Sequence, residues 1–76
     1  MNTFDKVKEV IVDTLNCDEA LVVMGASLTD DLGADSLDAV ELIMALEDSF
    51  EISVPEDRAK EISTVDEIVA LVDSLS

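Results

Sequence analysis

Apolar residues recur at Phe4, Val7, Val10, Ile11 and Leu15, with Thr14 on the same side, which is the three-and-four spacing of one helix face. Asn2 or Thr3 suits the cap and Asp5 puts negative charge in the first turn, so a first helix is predicted to run to about Asn16. From Cys17 to Asp35 the period is lost. Gly25, Ser27, Asp30, Asp31 and Gly33 are turn formers there, and Leu21, Val22, Val23, Leu28 and Leu32 lie among them as apolar anchors. A connection of this length either contains a short helical turn or serves a site. The period returns in a second helix from Ser36 to Phe50, capped by Asp35 with Asp38 in its first turn. Val54-Pro55 interrupts it, because the residue before a proline avoids helical geometry while Pro55 can open the next segment, a short third helix over Glu56 to Glu61. Thr64-Val65-Asp66-Glu67 reads as a capping box, and Val65, Ile68, Val69, Leu71, Val72 and Leu75 form the stripe of a fourth helix. No strand-type alternation or internal repeat is found. The expected fold class is all-α: a four-helix bundle with three longer helices, one short third helix and a long loop between helices one and two, as a single domain over residues 1–76.

The second helix carries more apolar surface than one buried face requires. At roughly 100° per residue, Ala39, Leu42, Ile43, Leu46 and Phe50 share one arc and are the predicted core residues. Leu37, Val40 and Met44 fall on a second arc, flanked by Glu41, Glu47 and Asp48. That second stripe could pack beneath the long loop or the third helix. Its rim of acids favours a docking patch, in which charge steers the encounter and Met44 adapts to several partners.

Charge narrows the partners. Four Lys and Arg stand against nineteen Asp and Glu in 76 residues, a net charge of −15, which repels nucleic acid and anionic membrane and attracts basic protein surfaces. The 49% hydrophobic content is enough to build a core despite that charge, and the self-repulsion should be relieved by acid or divalent cations. Cys17 is the only cysteine and His is absent, so no intrachain disulfide is possible and no base is at hand to activate a thiol or hydroxyl nucleophile. Met1 to Val12 mixes acids with apolar residues, unlike a signal peptide, and no run approaches a membrane span, so a cytoplasmic monomer is expected.

Ser36 opens the second helix, where unpaired backbone N–H groups and the helix dipole favour an attached phosphate. By itself a serine beside an Asp cap is an ordinary helix start. Its setting is more specific: Asp31-Leu32-Gly33-Ala34-Asp35-Ser36-Leu37-Asp38-Ala39-Val40-Glu41-Leu42 resembles the acyl carrier protein family, including its Asp-Ser-Leu attachment motif. The likeness continues through Met44-Ala45-Leu46-Glu47 and Phe50 to Val54-Pro55-Glu56, and more loosely over the whole chain, whose length looks like that of a stand-alone bacterial carrier.

The resemblance implies a non-catalytic carrier. A phosphopantetheinyl transferase, a holo-carrier synthase, would move 4'-phosphopantetheine from coenzyme A to the Ser36 hydroxyl, and the terminal thiol of the arm would then bear acyl groups as thioesters in fatty acid biosynthesis. Asp35 matches the acid beside the attachment site. Leu37, Asp38, Val40, Glu41, Met44, Glu47 and Asp48 match positions at which pathway enzymes with basic patches dock. Leu46, Val54, Ala59, Ile62, Ile68 and Leu71 are candidates to line a pocket for the acyl chain. Asp30, Asp35 and Asp38, with Glu47, Glu51 and Glu56, resemble weak divalent-cation clusters, though a solvated acidic face explains them as well and no chelating loop is present. The chain departs from the familiar bacterial pattern at Arg58, where an acid is common, at Lys60-Glu61, the reverse of the usual order, and at the apolar Val22-Val23-Met24-Gly25.

Alternatives from other classes fare worse. A calcium-binding helical protein would need an Asp-x-Asp-x-Asp-Gly loop closed by Glu, which Asp30-Asp31-Leu32-Gly33 does not supply. An enzyme built on Cys17 or Ser36 would need a base and a Gly-x-Ser-x-Gly elbow. Within the carrier class, a polyketide or other specialised pathway uses the same arm chemistry and stays open.

Overall fold

The computed structural model describes residues 2–75, and the helical order along them follows the apolar period. α1 spans Thr3–Leu15, a 3-10 turn spans Glu19–Leu21, α2 spans Ser36–Phe50, α3 spans Glu56–Ala59 and α4 spans Val65–Leu75. Asn2 caps α1 by accepting the Asp5 N–H. The helix ends at Asn16, whose left-handed backbone (φ 54°) lets its N–H return to the Val12 carbonyl. α2 ends the same way at Glu51 (φ 56°), a residue with no glycine-like freedom in that region.

The core is built on α1 and α4. Val7 and Ile11 of α1 are fully enclosed, as are Val65, Ile68 and Val72 of α4, and α1 packs against both α2 and α4. Thr3 donates its hydroxyl to Asp73 at 2.6 Å, tying the start of α1 to the end of α4. α2 contributes Leu42 and Leu46 in full, with Ile43 and Phe50 half-buried at the margin. Phe50 is covered from outside by the Lys6 ammonium, 4.7 Å from the ring centre.

The long connection is pinned, but not by all the expected anchors. Val22 and Leu28 are buried and Leu32 partly so, whereas Leu21 and Val23 point to solvent. Two small residues, Ala26 and Ala34, are buried in their place. Backbone pairing accounts for this: Leu28 N–H donates to the Ser63 carbonyl, Val65 N–H to the Ala26 carbonyl and Asp66 N–H to the Met24 carbonyl, around an isolated antiparallel bridge between Ser27 and Thr64. Chains this close leave room for a methyl group where a larger side chain would not fit.

Two predicted termini are revised. α3 closes at Ala59, so Lys60 and Glu61 form a turn after it, and none of its own residues is fully buried. At α4 only half of the expected capping box forms. The Glu67 carboxylate accepts the Thr64 N–H at 3.1 Å and also the Ser63 N–H and hydroxyl, but the Glu67 N–H bonds to the Asp66 carboxylate and not to the Thr64 hydroxyl. That hydroxyl donates instead to Asp66 and Glu67.

Candidate functional site

Ser36 is the first residue of α2 and is exposed. What sets it there is the turn before it. Gly33 takes a left-handed backbone (φ 71°), reversing the chain so that Ala34 tucks into the core and donates its N–H to the Leu28 carbonyl at 2.8 Å. Asp35 then caps the helix: its carboxylate accepts the Asp38 N–H at 2.9 Å, and the Asp38 carboxylate accepts the Asp35 N–H at 3.3 Å. The sequence reading anticipated the cap but not this reciprocal pair. Because the box uses the N–H groups of residues 35 and 38, those of Ser36 and Leu37 are left as the first-turn donors without an intrahelical partner. An anionic group on the Ser36 oxygen would meet those donors and the positive end of the helix dipole, so the local chemistry fits a phosphodiester.

A groove of about 500 Å³ begins at Ser36 and runs between α2 and the segment around α3. One wall is Ser36, Ala39, Val40, Ile43 and Met44; the other is Val54, Glu56, Ala59, Lys60 and Ile62. The second wall is suspended at two ends. Val54 donates its N–H to the Glu47 carboxylate at 2.8 Å, beside the C-terminal half of α2. Ser63 offers its carbonyl to Leu28, which in turn holds Ala34, two residues before Ser36. The segment therefore runs antiparallel to α2, with residue 56 toward the far end of the groove and residue 60 toward Ser36.

These placements sort the candidates. Val54, Ala59 and Ile62 line the groove. Leu46 and Ile68 do not: they are 1% and 0% exposed, enclosed in the core cluster with Val7 and Ile11. Leu71 lies on an adjoining depression with Arg58, Glu61 and Glu67, which shares Ile62 with the groove. Ala39, Ile43, Val40 and Met44 complete the apolar wall, and the sequence reading had assigned them to the core arc or to the docking stripe. The split into two arcs in the sequence reading separates residues that the groove brings onto one wall. What could not be read was that α3 stands off α2 instead of closing onto it.

Leu37, Val40 and Met44 are 67%, 56% and 62% exposed, with Glu41 and Asp48 exposed beside them. The second stripe is thus open surface, and part of it is also groove wall. Glu47 and Asp38 are half-buried and engaged in backbone hydrogen bonds, Glu47 with Val54 and Asp38 with Asp35. Of the seven docking candidates, these two already have structural duties. Among the described residues no three acids converge where they could hold a metal ion, so neither Asp30, Asp35 and Asp38 nor Glu47, Glu51 and Glu56 forms a cluster. Among the same residues no helix is long and apolar enough to cross a membrane.

The family profile described as the phosphopantetheine attachment site matches residues 5–72. A solved structure described as a candidate acyl carrier protein from Mycobacterium tuberculosis superposes with a TM-score of 0.90 at 32% sequence identity, covering 96% of this chain and 97% of that one.

Proposed function

The chain belongs to the phosphopantetheine-attachment family of acyl carrier proteins, whose prosthetic group is 4'-phosphopantetheine, and from that premise we propose that Ser36 is its attachment point. The observation that carries this is the position of an exposed serine hydroxyl beside two free helix N–H donors, at the mouth of an apolar groove. In loading, the Ser36 oxygen would form a bond to the phosphorus bearing the pantetheine of coenzyme A, the phosphoanhydride bond would break, the serine proton would be lost, and adenosine 3',5'-bisphosphate would leave. The bound arm supplies a terminal thiol for thioesters. The chain's own part is to hold the arm, shelter what it carries and present it.

On this reading Ala39, Ile43, Val54, Ala59 and Ile62 provide an apolar lining for an acyl chain, and Leu37, Val40, Met44, Glu41 and Asp48 form the face that docks basic enzymes. The acidic face suits a phosphopantetheinyl transferase and the enzymes of fatty acid biosynthesis as partners, with the carrier as their substrate. Incubation with coenzyme A, magnesium and a broad-specificity transferase, followed by intact mass, tests the attachment. The wild type should gain one arm and Ser36→Ala none. A wild type that stays unmodified, or an alanine variant that is modified, refutes it.

A further inference from the structure

We infer that Lys60 binds the phosphodiester of an arm on Ser36 and so draws the arm over the α3 side of the groove; this rests on the attachment proposed above. Four Lys and Arg side chains supply the basic groups of this acidic chain. Lys8 pairs with Glu19 at 3.7 Å and lies over the Phe4 ring, and Lys6 lies over Phe50. Arg58 faces the depression it shares with Glu61 and Glu67. Lys60 alone shares a groove with Ser36. The one acid among the lining residues, Glu56, lies toward the opposite end, since the chain enters beside Glu47 and leaves beside Leu28.

The charge around Ser36 gives Lys60 something to do. Asp35 and Asp38 flank the serine on its own helix, and their carboxylates oppose a neighbouring phosphate while the helix N-terminus attracts it. A cation on the facing wall makes one direction favourable: across the groove and away from the two acids. An exposed ion pair between free partners contributes little. Here the anion is tethered, with an effective concentration on the order of millimolar or more, so even a weak attraction biases where the arm lies. Lys60 is thus a positioning residue, and its reach through a flexible stem suits a single mobile phosphate.

The test compares unloaded and loaded protein by NMR, following the arm's phosphorus signal and the terminal methylene signal of Lys60. Loading should shift the Lys60 signal but not that of Lys8, and salt well above physiological strength should reverse the shift, because screening shortens to a few ångströms near 1 M. Lys60→Glu should change the phosphorus signal and abolish its salt dependence, whereas Lys60→Arg should preserve it. Arg58→Glu makes the same change in net charge from the other depression and should leave the phosphorus signal as in the wild type. If Lys60 is silent on loading, or if Arg58→Glu and Lys60→Glu act alike, the inference is overturned while the attachment stands. If the wild type cannot be loaded on Ser36, the attachment itself fails.

Discussion

α4 and α2 are both rich in apolar residues, yet they use them differently. α4 buries five of its eleven residues, Val65, Ile68, Val69, Leu71 and Val72. α2 has four residues more and buries only Leu42 and Leu46. Ile43 and Phe50 pack partly buried at the core margin, while Leu37, Val40 and Met44 lie open to solvent, where they add little to folding and lower solubility. α4 is therefore a structural helix whose apolar residues stabilise the fold, whereas α2 is anchored by Leu42 and Leu46, with Ile43 and Phe50 at the core margin, and presents Leu37, Val40 and Met44. Surplus hydrophobicity on a helix with few buried residues marks the working side of this molecule better than any single motif does.

The largest test of that contrast is truncation on each helix. Ile68→Ala should cost about 2–5 kcal/mol, because it removes a side chain with no exposure from the core cluster. Against a usual stability of roughly 5–15 kcal/mol, that is a large fraction. Val40→Ala, which removes only two methyl groups from an exposed α2 position, should stay within about 0.5 kcal/mol. Urea denaturation of the two variants reads both, and comparable losses would erase the distinction between the helices.

A smaller effect separates two acids of α2 that look alike in sequence. Glu47→Ala should cost about 1 kcal/mol and speed amide exchange at Val54, because its carboxylate holds that N–H and with it the start of the groove's second wall. Glu41 is exposed and, among the described residues, accepts no such backbone N–H, so Glu41→Ala should leave both unchanged. If Val54 exchanges at the wild-type rate in Glu47→Ala, the wall is held by something else.

How far sequence reached follows the same division. The helices with long regular periods were legible to within a residue or so, since burial on α1 and α4 repeats at helical spacing through Val7, Ile11, Ile68 and Val72. The bounds of α2 were readable from Asp35 and Phe50. The loop was harder: Ala26 and Ala34 give no hydrophobic signal, and they are held by backbone pairing, Ala26 with Val65 and Ala34 through Leu28, which itself pairs with the distant Ser63. The groove was half legible. Val54, Ala59 and Ile62 could be named, but the exclusion of Leu46 and Ile68 depends on how far α3 stands from α2, which tertiary geometry fixes and local pattern does not.

Next in size come changes that leave the fold alone and alter its use. Leu37→Ala and Met44→Ala should each shift stability by less than about 0.5 kcal/mol, yet slow loading by a phosphopantetheinyl transferase. Glu41→Lys should slow it most at low salt, with the deficit shrinking as ionic strength rises. Loading rates of the three variants equal to the wild type at low salt would remove α2 from the docking assignment and leave its open stripe without a role.

The smallest expected effect concerns the start of α4, the structural counterpart of the Ser36 turn. Hydrogen bonds from the Ser63 hydroxyl first, then from the Ser63 N–H and the Thr64 hydroxyl, hold the Glu67 carboxyl below its ordinary value of 4.5. A carboxyl whose pKa is lower folded than unfolded contributes its full stabilisation above the unfolded value, and the contribution is lost as pH falls through the folded one. Glu67 is on the surface, so the contribution is modest and screened. Acid also relieves repulsion among nineteen carboxylates, and that gain would mask the loss in any single melting curve. The informative quantity is the melting-temperature gap between wild type and Glu67→Gln. It should be open at neutral pH and close as the pH drops below 4.5, with amide exchange at Ser63 and Thr64 rising in the wild type over the same range. A gap that is constant with pH, or that widens in acid, would show that the corner holding the groove's second wall beside Leu28 does not depend on this carboxylate's charge.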